Sequence, residues 1–197
     1  TCSIVSHDRM RAPAIRIVPP VDPAVDEMLR KYAQCGVRLF ISDFTLGMGI
    51  PTVGVLAYDP ATFPGESEIV WTAGTTPSPA KALSRALTEV AQLAGDFNTS
   101  ANYVASGLPK PGRLEEVGYV TDPGRQVELS ALQDLSDVNI RVEIERCVRA
   151  LAARGLEVLL IETTHPELQI PAYYTIIPGA HFRERSRSTS VAMFSAK

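Results

Sequence analysis

Two stretches of this 197-residue chain follow one plan. In the first, an amphipathic segment beginning near Asp22 ends at Gly36. An apolar run, Val37 to Ser42, follows and is closed by Asp43-Phe44-Thr45. Four residues later Ile50-Pro51 opens a second apolar run through Tyr58. In the second, an amphipathic segment after Asp137 ends at Gly155. Leu156 to Ile161 is closed by Glu162-Thr163-Thr164, and five residues later Ile170-Pro171 opens a run through Ile177. In both copies the acidic residue stands seven positions after the glycine. Strand-like alternation following a helical period predicts a helix–strand–strand unit each time. The period is far longer than a solenoid's. The expected fold class is therefore α+β (mixed α/β): two related helix–strand–strand units packed around a mixed sheet with a central amphipathic helix.

Local signals refine the elements. Ile15, Ile17 and Val18 make a short strand that Pro19-Pro20 stops. Asp22 caps a helix with Pro23 at its first position, and Val25, Met28, Leu29 and Tyr32 give it a buried face. Asp137 is the expected cap of the later helix, whose apolar face is Ile140, Ile144, Cys147, Val148 and Leu151. Glu68 to Thr72 reads as a strand leading to Gly74. Residues 97 to 105 read as helical. Ser106 to Gly124, rich in Gly and Pro, reads as a long irregular segment: a solvated loop, or one whose Lys110 and Arg113 contact phosphate or peptide.

The central helix is Ser78 to Gly95. Ser78 offers a cap, Pro79 occupies the first position, and Gly95 ends it. Leu83, Leu87, Val90 and Ala94 form an apolar stripe. Arg85, Glu89, Gln92 and Asp96 form a polar one with the same spacing. The polar stripe is either a solvated face, with Arg85 and Glu89 as an ordinary i,i+4 pair, or the wall of a site. Two features favour a wall. Ala82, Ala86 and Ala91 flank the stripe and allow close approach. Gly74-Thr75-Thr76 stands just upstream, where free amides suit an anion. In a nucleotide site Arg85 suits a phosphate oxygen, Glu89 a magnesium ion, and Gln92 the orientation of metal-bound water or phosphate.

Composition narrows the function classes. A net charge of −3 gives no electrostatic reason to expect nucleic acid. There is no apolar run long enough to span a membrane and no signal-peptide pattern at Thr1-Cys2-Ser3-Ile4-Val5. Cys2, Cys35 and Cys147 lack metal-ligand spacing and are expected to be reduced, mostly buried thiols of a cytoplasmic protein. His7, His165 and His181 are scattered, and no Walker A loop, GxGxxG or GxSxG is present.

Ala82-Leu83-Ser84-Arg85-Ala86-Leu87-Thr88-Glu89-Val90-Ala91-Gln92 resembles the second signature helix of the YcaO family. The Asp43-Phe44-Thr45…Ile50-Pro51 and Glu162-Thr163-Thr164…Ile170-Pro171…Pro178-Gly179 pieces resemble that family's repeated strand units. The resemblance runs from about Asp22 to Phe182. It implies a non-Walker site for ATP and Mg2+, with Arg85 on phosphate, Glu89 on magnesium and Gln92 completing the wall. It also implies a peptide or protein substrate, whose backbone amide oxygen is phosphorylated to give an azoline or, with sulfide, a thioamide. The family's E-x-x-E-R signature helix and its PxPxP tail are not in the sequence. The expectation is thus residues 1–197 as the C-terminal part of a single YcaO-like domain, inactive alone, with a homodimer or an accessory protein as partner. The alternative is a non-catalytic accessory or partner-binding module, as in ribosomal-protein methylthiolation, with the stripe as an interface.

Overall fold

The computed structural model describes residues 5–6, 8–94 and 111–180. Gly95, Asp96, the expected helix over 97–105, Lys110 with the first part of the 106–124 segment, Cys2, His7 and His181 lie outside the described residues, as does the side chain of Ala94. The chain forms two compact units, Thr1–Ser136 and Asp137–Lys197.

In the first unit the order is β1 (Ala14–Arg16), α1 (Pro23–Gln34), β2 (Arg38–Asp43), β3 (Thr52–Tyr58), β4 (Val70–Thr75), α2 (Pro79–Ala94), a 3-10 turn (Leu114–Val117), α3 (Gly118–Thr121) and β5 (Gln126–Glu128). The strands form one mixed sheet in the order β4-β3-β2-β1-β5. Only the β1–β5 pair in it is parallel. This is the α+β class that the two-period pattern predicts.

The sheet is covered on both sides, which is why β3 is buried from Thr52 to Ala57. Val53, Val55 and Ala57 face α1 and α2, where Val25, Leu83, Leu87 and Val90 complete one core cluster. Burying a side chain such as Leu83 or Leu87 contributes roughly 1.5–3 kcal/mol. Leu56 points the other way, onto Phe44, Trp71, Val117 and Val120. The described part of the expected irregular segment is therefore not loose. Leu114, Val117 and Val120 recur at helical spacing, so residues 114–121 wind into two short turns that cover the second face. Tyr119 stacks on Trp71 at 6.2 Å between centroids.

The caps explain the helix starts. Asp22 accepts a hydrogen bond from the Ala24 amide at 2.9 Å, with Pro23 at the first helical position. Asp22→Ala is expected to destabilise the first unit by about 1 kcal/mol, read as a lowered urea midpoint. An unchanged midpoint would show that the cap contributes nothing.

The second unit contains α4 (Ile140–Ala152), β6 (Leu159–Glu162) and β7 (Tyr173–Ile176). Its cap is Asn139, which accepts from the Arg141 amide at 3.0 Å, and not Asp137 as expected. Asp137 stands two residues too early; it accepts from the Asn139 amide and pairs with Arg146. β6 and β7 form their own antiparallel two-stranded sheet.

The internal repeat is real in three dimensions. Gly36 and Gly155 both take positive φ, +76° and +74°, which only glycine adopts at little cost. Their neighbours make the same closing bonds, Val37 N–H to Tyr32 O at 3.0 Å and Leu156 N–H to Leu151 O at 3.1 Å. The strand corners match as well. Phe44 N–H donates to Thr52 O, and Thr163 N–H to Ala172 O, both at 2.8 Å. Thr45 Oγ1 accepts from the Thr52 amide at 3.3 Å, and Thr164 Oγ1 from the Ala172 amide at 3.2 Å.

Candidate functional site

α2 separates core from site across its own width. Leu83, Leu87 and Val90 are buried, while Arg85, Thr88, Glu89 and Gln92 are exposed. The first bond of the helix runs from the Ala82 amide to Ser78 O at 2.9 Å, as the Ser78-Pro79 signal predicts. Tyr32 donates to Leu87 O at 2.6 Å and ties α1 to α2. Thr72 donates to Ala86 O at 2.9 Å and ties β4 to α2 inside the core.

The approach of α2 to β4 is unusually close at Gly74. A Cβ there would run into the Ala82 carbonyl oxygen and lie 2.9 Å from both the Ala86 nitrogen and Arg85 Cβ. Ala82 and Ala86 are fully buried. Their small size therefore serves the helix–strand contact and not the approach of a ligand. Gly74 and Thr75 also belong to β4, paired with Val53 and Thr52, and the Thr76 amide donates to Pro51 O. The Thr76 amide, expected to be free for an anion, is thus spent on the sheet. The strand expected to stop at Thr72 runs on to Thr75, because no local signal distinguishes a breaking glycine from a close-packing one.

This contact sets the polar stripe beside the end of β4. Ala73, Gly74 and Thr75 form one wall of a groove of about 420 Å³, and Ser84, Arg85, Thr88, Glu89 and Gln92 form the other. All three residues singled out from the sequence, Arg85, Glu89 and Gln92, line it. Thr75 belongs to the Gly74-Thr75-Thr76 stretch named from the sequence, while Ser84 and Thr88 have no assigned role there; the helical period itself places these two on the stripe. Thr88 donates to Ser84 O at 2.8 Å, and Thr75 shares a 2.9 Å hydroxyl contact with Thr52. Among the described residues Arg85 and Glu89 do not close an ion pair, whereas Arg141 and Glu145 at the same spacing meet at 3.0 Å. Both charged ends are left facing the groove.

The donor set suits a phosphate–magnesium ligand as one wall of its site. Arg85 offers a fork of N–H donors, Glu89 a carboxylate and Gln92 an amide oxygen, and magnesium takes few protein ligands beside phosphate and water. Glu89 is the single carboxylate in the lining. No group of three or more His, Cys, Asp or Glu able to hold a metal occurs among the described residues.

Other residues named from the sequence lie outside the groove. Asp43 accepts from the Thr45 amide at 2.9 Å and shapes its turn. His165 Nδ1 accepts from the Glu167 amide. Cys35 is exposed, contrary to expectation, because it caps α1 at its solvent end. Cys147 is half-buried, and burial, with Glu143 nearby, pushes its thiol pKa up. Arg113 is exposed and pairs with Glu116. No helix among the described residues is long and apolar enough to cross a membrane.

The chain is similar to known proteins. The chain is 26% identical over 163 residues to an uncharacterised protein of Methanothermobacter thermautotrophicus, covering 79% of this chain and 42% of that protein. It is 22% identical over 200 residues to an uncharacterised protein encoded in the tfuA 3′ region of Rhizobium leguminosarum bv. trifolii, covering 90% and 47%. The chain thus spans about half the length of the curated relatives it matches. Among solved structures it is similar to the heterocyclase TruD, with a TM-score of 0.75, 23% identity, and coverage of 93% of this chain and 26% of that one. It is also similar to YcaO from Methanopyrus kandleri bound with AMPPCP and Mg2+, with a TM-score of 0.65, 24% identity, and coverage of 90% and 48%. At these identities the structural likeness shows the fold. The family model described as YcaO cyclodehydratase, ATP- and Mg2+-binding, matches residues 1–181. With nine-tenths of its length matched in this way, the chain belongs to the YcaO family.

Proposed function

We propose that this chain forms about half of an ATP- and Mg2+-dependent enzyme that modifies peptide backbone amides, by azoline-forming cyclodehydration or by thioamidation. One observation carries the reading: Arg85, Glu89 and Gln92, spaced along one helical stripe, line a single groove. Bound ATP supplies the phosphoryl group that turns an amide oxygen into a leaving group once a nucleophile has added to the carbonyl. The chain's own part is positioning. Arg85 holds phosphate oxygens through charge-assisted hydrogen bonds. Glu89 and Gln92 offer oxygen ligands to the cation, which keeps its remaining positions for phosphate and water. The family description and the Methanopyrus structure bound with AMPPCP and Mg2+ support this ligand pair. A related structure described as a heterocyclase in complex with substrate and cofactor supports a peptide substrate. ATP chemistry of this kind belongs in the cytoplasm.

A second reading, a non-catalytic accessory module whose stripe contacts a partner protein, is favoured by the single carboxylate of the groove. Titration calorimetry with Mg2+ and ATP separates the two. In a polypeptide completed to family length, Arg85→Ala is expected to weaken Mg-ATP binding by about tenfold or more, through loss of charge-assisted phosphate contacts. Undiminished affinity in the variant would remove Arg85 from the site. No nucleotide binding by the completed polypeptide would favour the accessory module.

A further inference from the structure

The long helices place their charges differently. α1 carries Asp26 in its first turn and Lys31 in its last, and α4 carries Glu143 in its first turn and Arg149 in its last. Both follow the helix dipole, which favours acids at the start and bases at the end. α2 runs against it. Its first turn holds Lys81 and no acid, its last turn holds no base, and its one acid, Glu89, lies in the C-terminal half. Lys81 and Arg85 also stand four residues apart with like charge, a spacing that weakens a helix. Neither has a carboxylate partner among the described residues. Helix stability therefore does not explain this order of charges.

Position explains it. At about 100° per residue, Lys81 lies within about 80° of every α2 side chain that lines the groove: Ser84, Arg85, Thr88, Glu89 and Gln92. It is exposed one turn before Arg85, and four residues advance about 6 Å along the axis. Lys81, Arg85 and Glu89 thus follow one another along a single stripe as cation, cation and anion. The ligand complementary to this order carries anionic groups over the first half of the helix and a cation beside Glu89.

We propose that Lys81 is a further phosphate-binding residue. With Arg85 it holds the phosphate chain of the nucleotide, while Glu89 and Gln92 face the divalent cation. This rests on the Mg-ATP reading of the groove, and adds to it a residue and an order along α2. The lysine ammonium is a compact charge on a long flexible stem, so it reaches phosphate oxygens beyond the planar fork of Arg85. Its misplacement for the helix is then the consequence of its placement for the ligand.

Two measurements with opposite signs test it. The first is made on the 197-residue chain without ligand. Lys81→Glu gives α2 a first-turn acid and an oppositely charged neighbour for Arg85, so the thermal midpoint should rise by about 2 °C or more. The second is titration calorimetry on the polypeptide completed to family length. Lys81→Gln should weaken the binding of Mg-ATP, and of inorganic triphosphate with Mg2+, by about fivefold or more. Lys81→Arg, which keeps the charge, should stay within about twofold of the parent for both. A lowered or unchanged midpoint for Lys81→Glu would overturn the proposal, because Lys81 would then serve the helix. Undiminished triphosphate binding by Lys81→Gln, with Arg85→Ala still weakened, would overturn it and leave the nucleotide reading standing without Lys81. A loss confined to Mg-ATP would overturn it too, by placing Lys81 on the nucleoside. Binding of neither ligand by the completed parent would bring down the reading and this inference together.

Discussion

Gly74→Ala is expected to destabilise the first unit by about 3 kcal/mol, the upper part of the range for overpacking a filled interior. The added methyl would meet the Ala82 carbonyl oxygen, the Ala86 nitrogen and Arg85 Cβ. Two of these are backbone atoms of a helix held against the sheet by Leu83, Leu87 and Val90, so no rotamer change relieves the clash. α2 must move away from β4. Doing so stretches the 2.9 Å Thr72–Ala86 bond and opens the cluster beneath Val53 and Val55. The chain's single tryptophan, Trp71, is buried in the same strand and reports this unit directly. Urea unfolding followed by its fluorescence should show a lower midpoint at unchanged slope. A shift below about 0.5 kcal/mol, the scatter of ordinary surface substitutions, would mean that the close approach at Gly74 is not structural.

Glu89→Gln carries the other large effect, this time on chemistry. The substitution keeps size and hydrogen-bonding capacity but removes the single carboxylate of the groove. In the polypeptide completed to family length, Mg2+-dependent ATP turnover should fall by about 100-fold or more, the usual scale for losing a preorganised charge at a reacting centre. Glu89 is exposed, so the thermal midpoint should stay in place. Turnover within about threefold of the parent, which is under 1 kcal/mol of activation free energy, would exclude Glu89 as a metal ligand.

Much of this was legible in the residues. Helix 79–94 announced itself through Ser78-Pro79 and the Leu83, Leu87, Val90 period, because capping and periodicity act locally. Gly36 and Gly155 marked helix ends because positive φ selects glycine wherever it occurs. The polar stripe was legible for the same reason, since Arg85, Glu89 and Gln92 share a face by spacing alone. What the spacing could not say is what that face meets. β4 runs on through Gly74 because its ladder with Val53 and Thr52 outweighs the local breaker signal, and that ladder is a long-range fact. Residues 114–121 wound into turns because Trp71 and Leu56 offered an apolar surface that sequence order does not reveal. Cys35 is exposed for a reason of position, at the end of α1, and not of residue type.

The division of labour on α2 has an evolutionary consequence. The side chains that line the groove are those that stability does not need, and those that stability needs never reach the groove. Selection can then exchange the groove residues one at a time without passing through an unfolded intermediate. Such a helix can lose its groove chemistry while its scaffold stays the same. For the experimenter the same property gives a clean control: a groove variant that loses activity while Trp71 still reports an intact fold has lost chemistry alone.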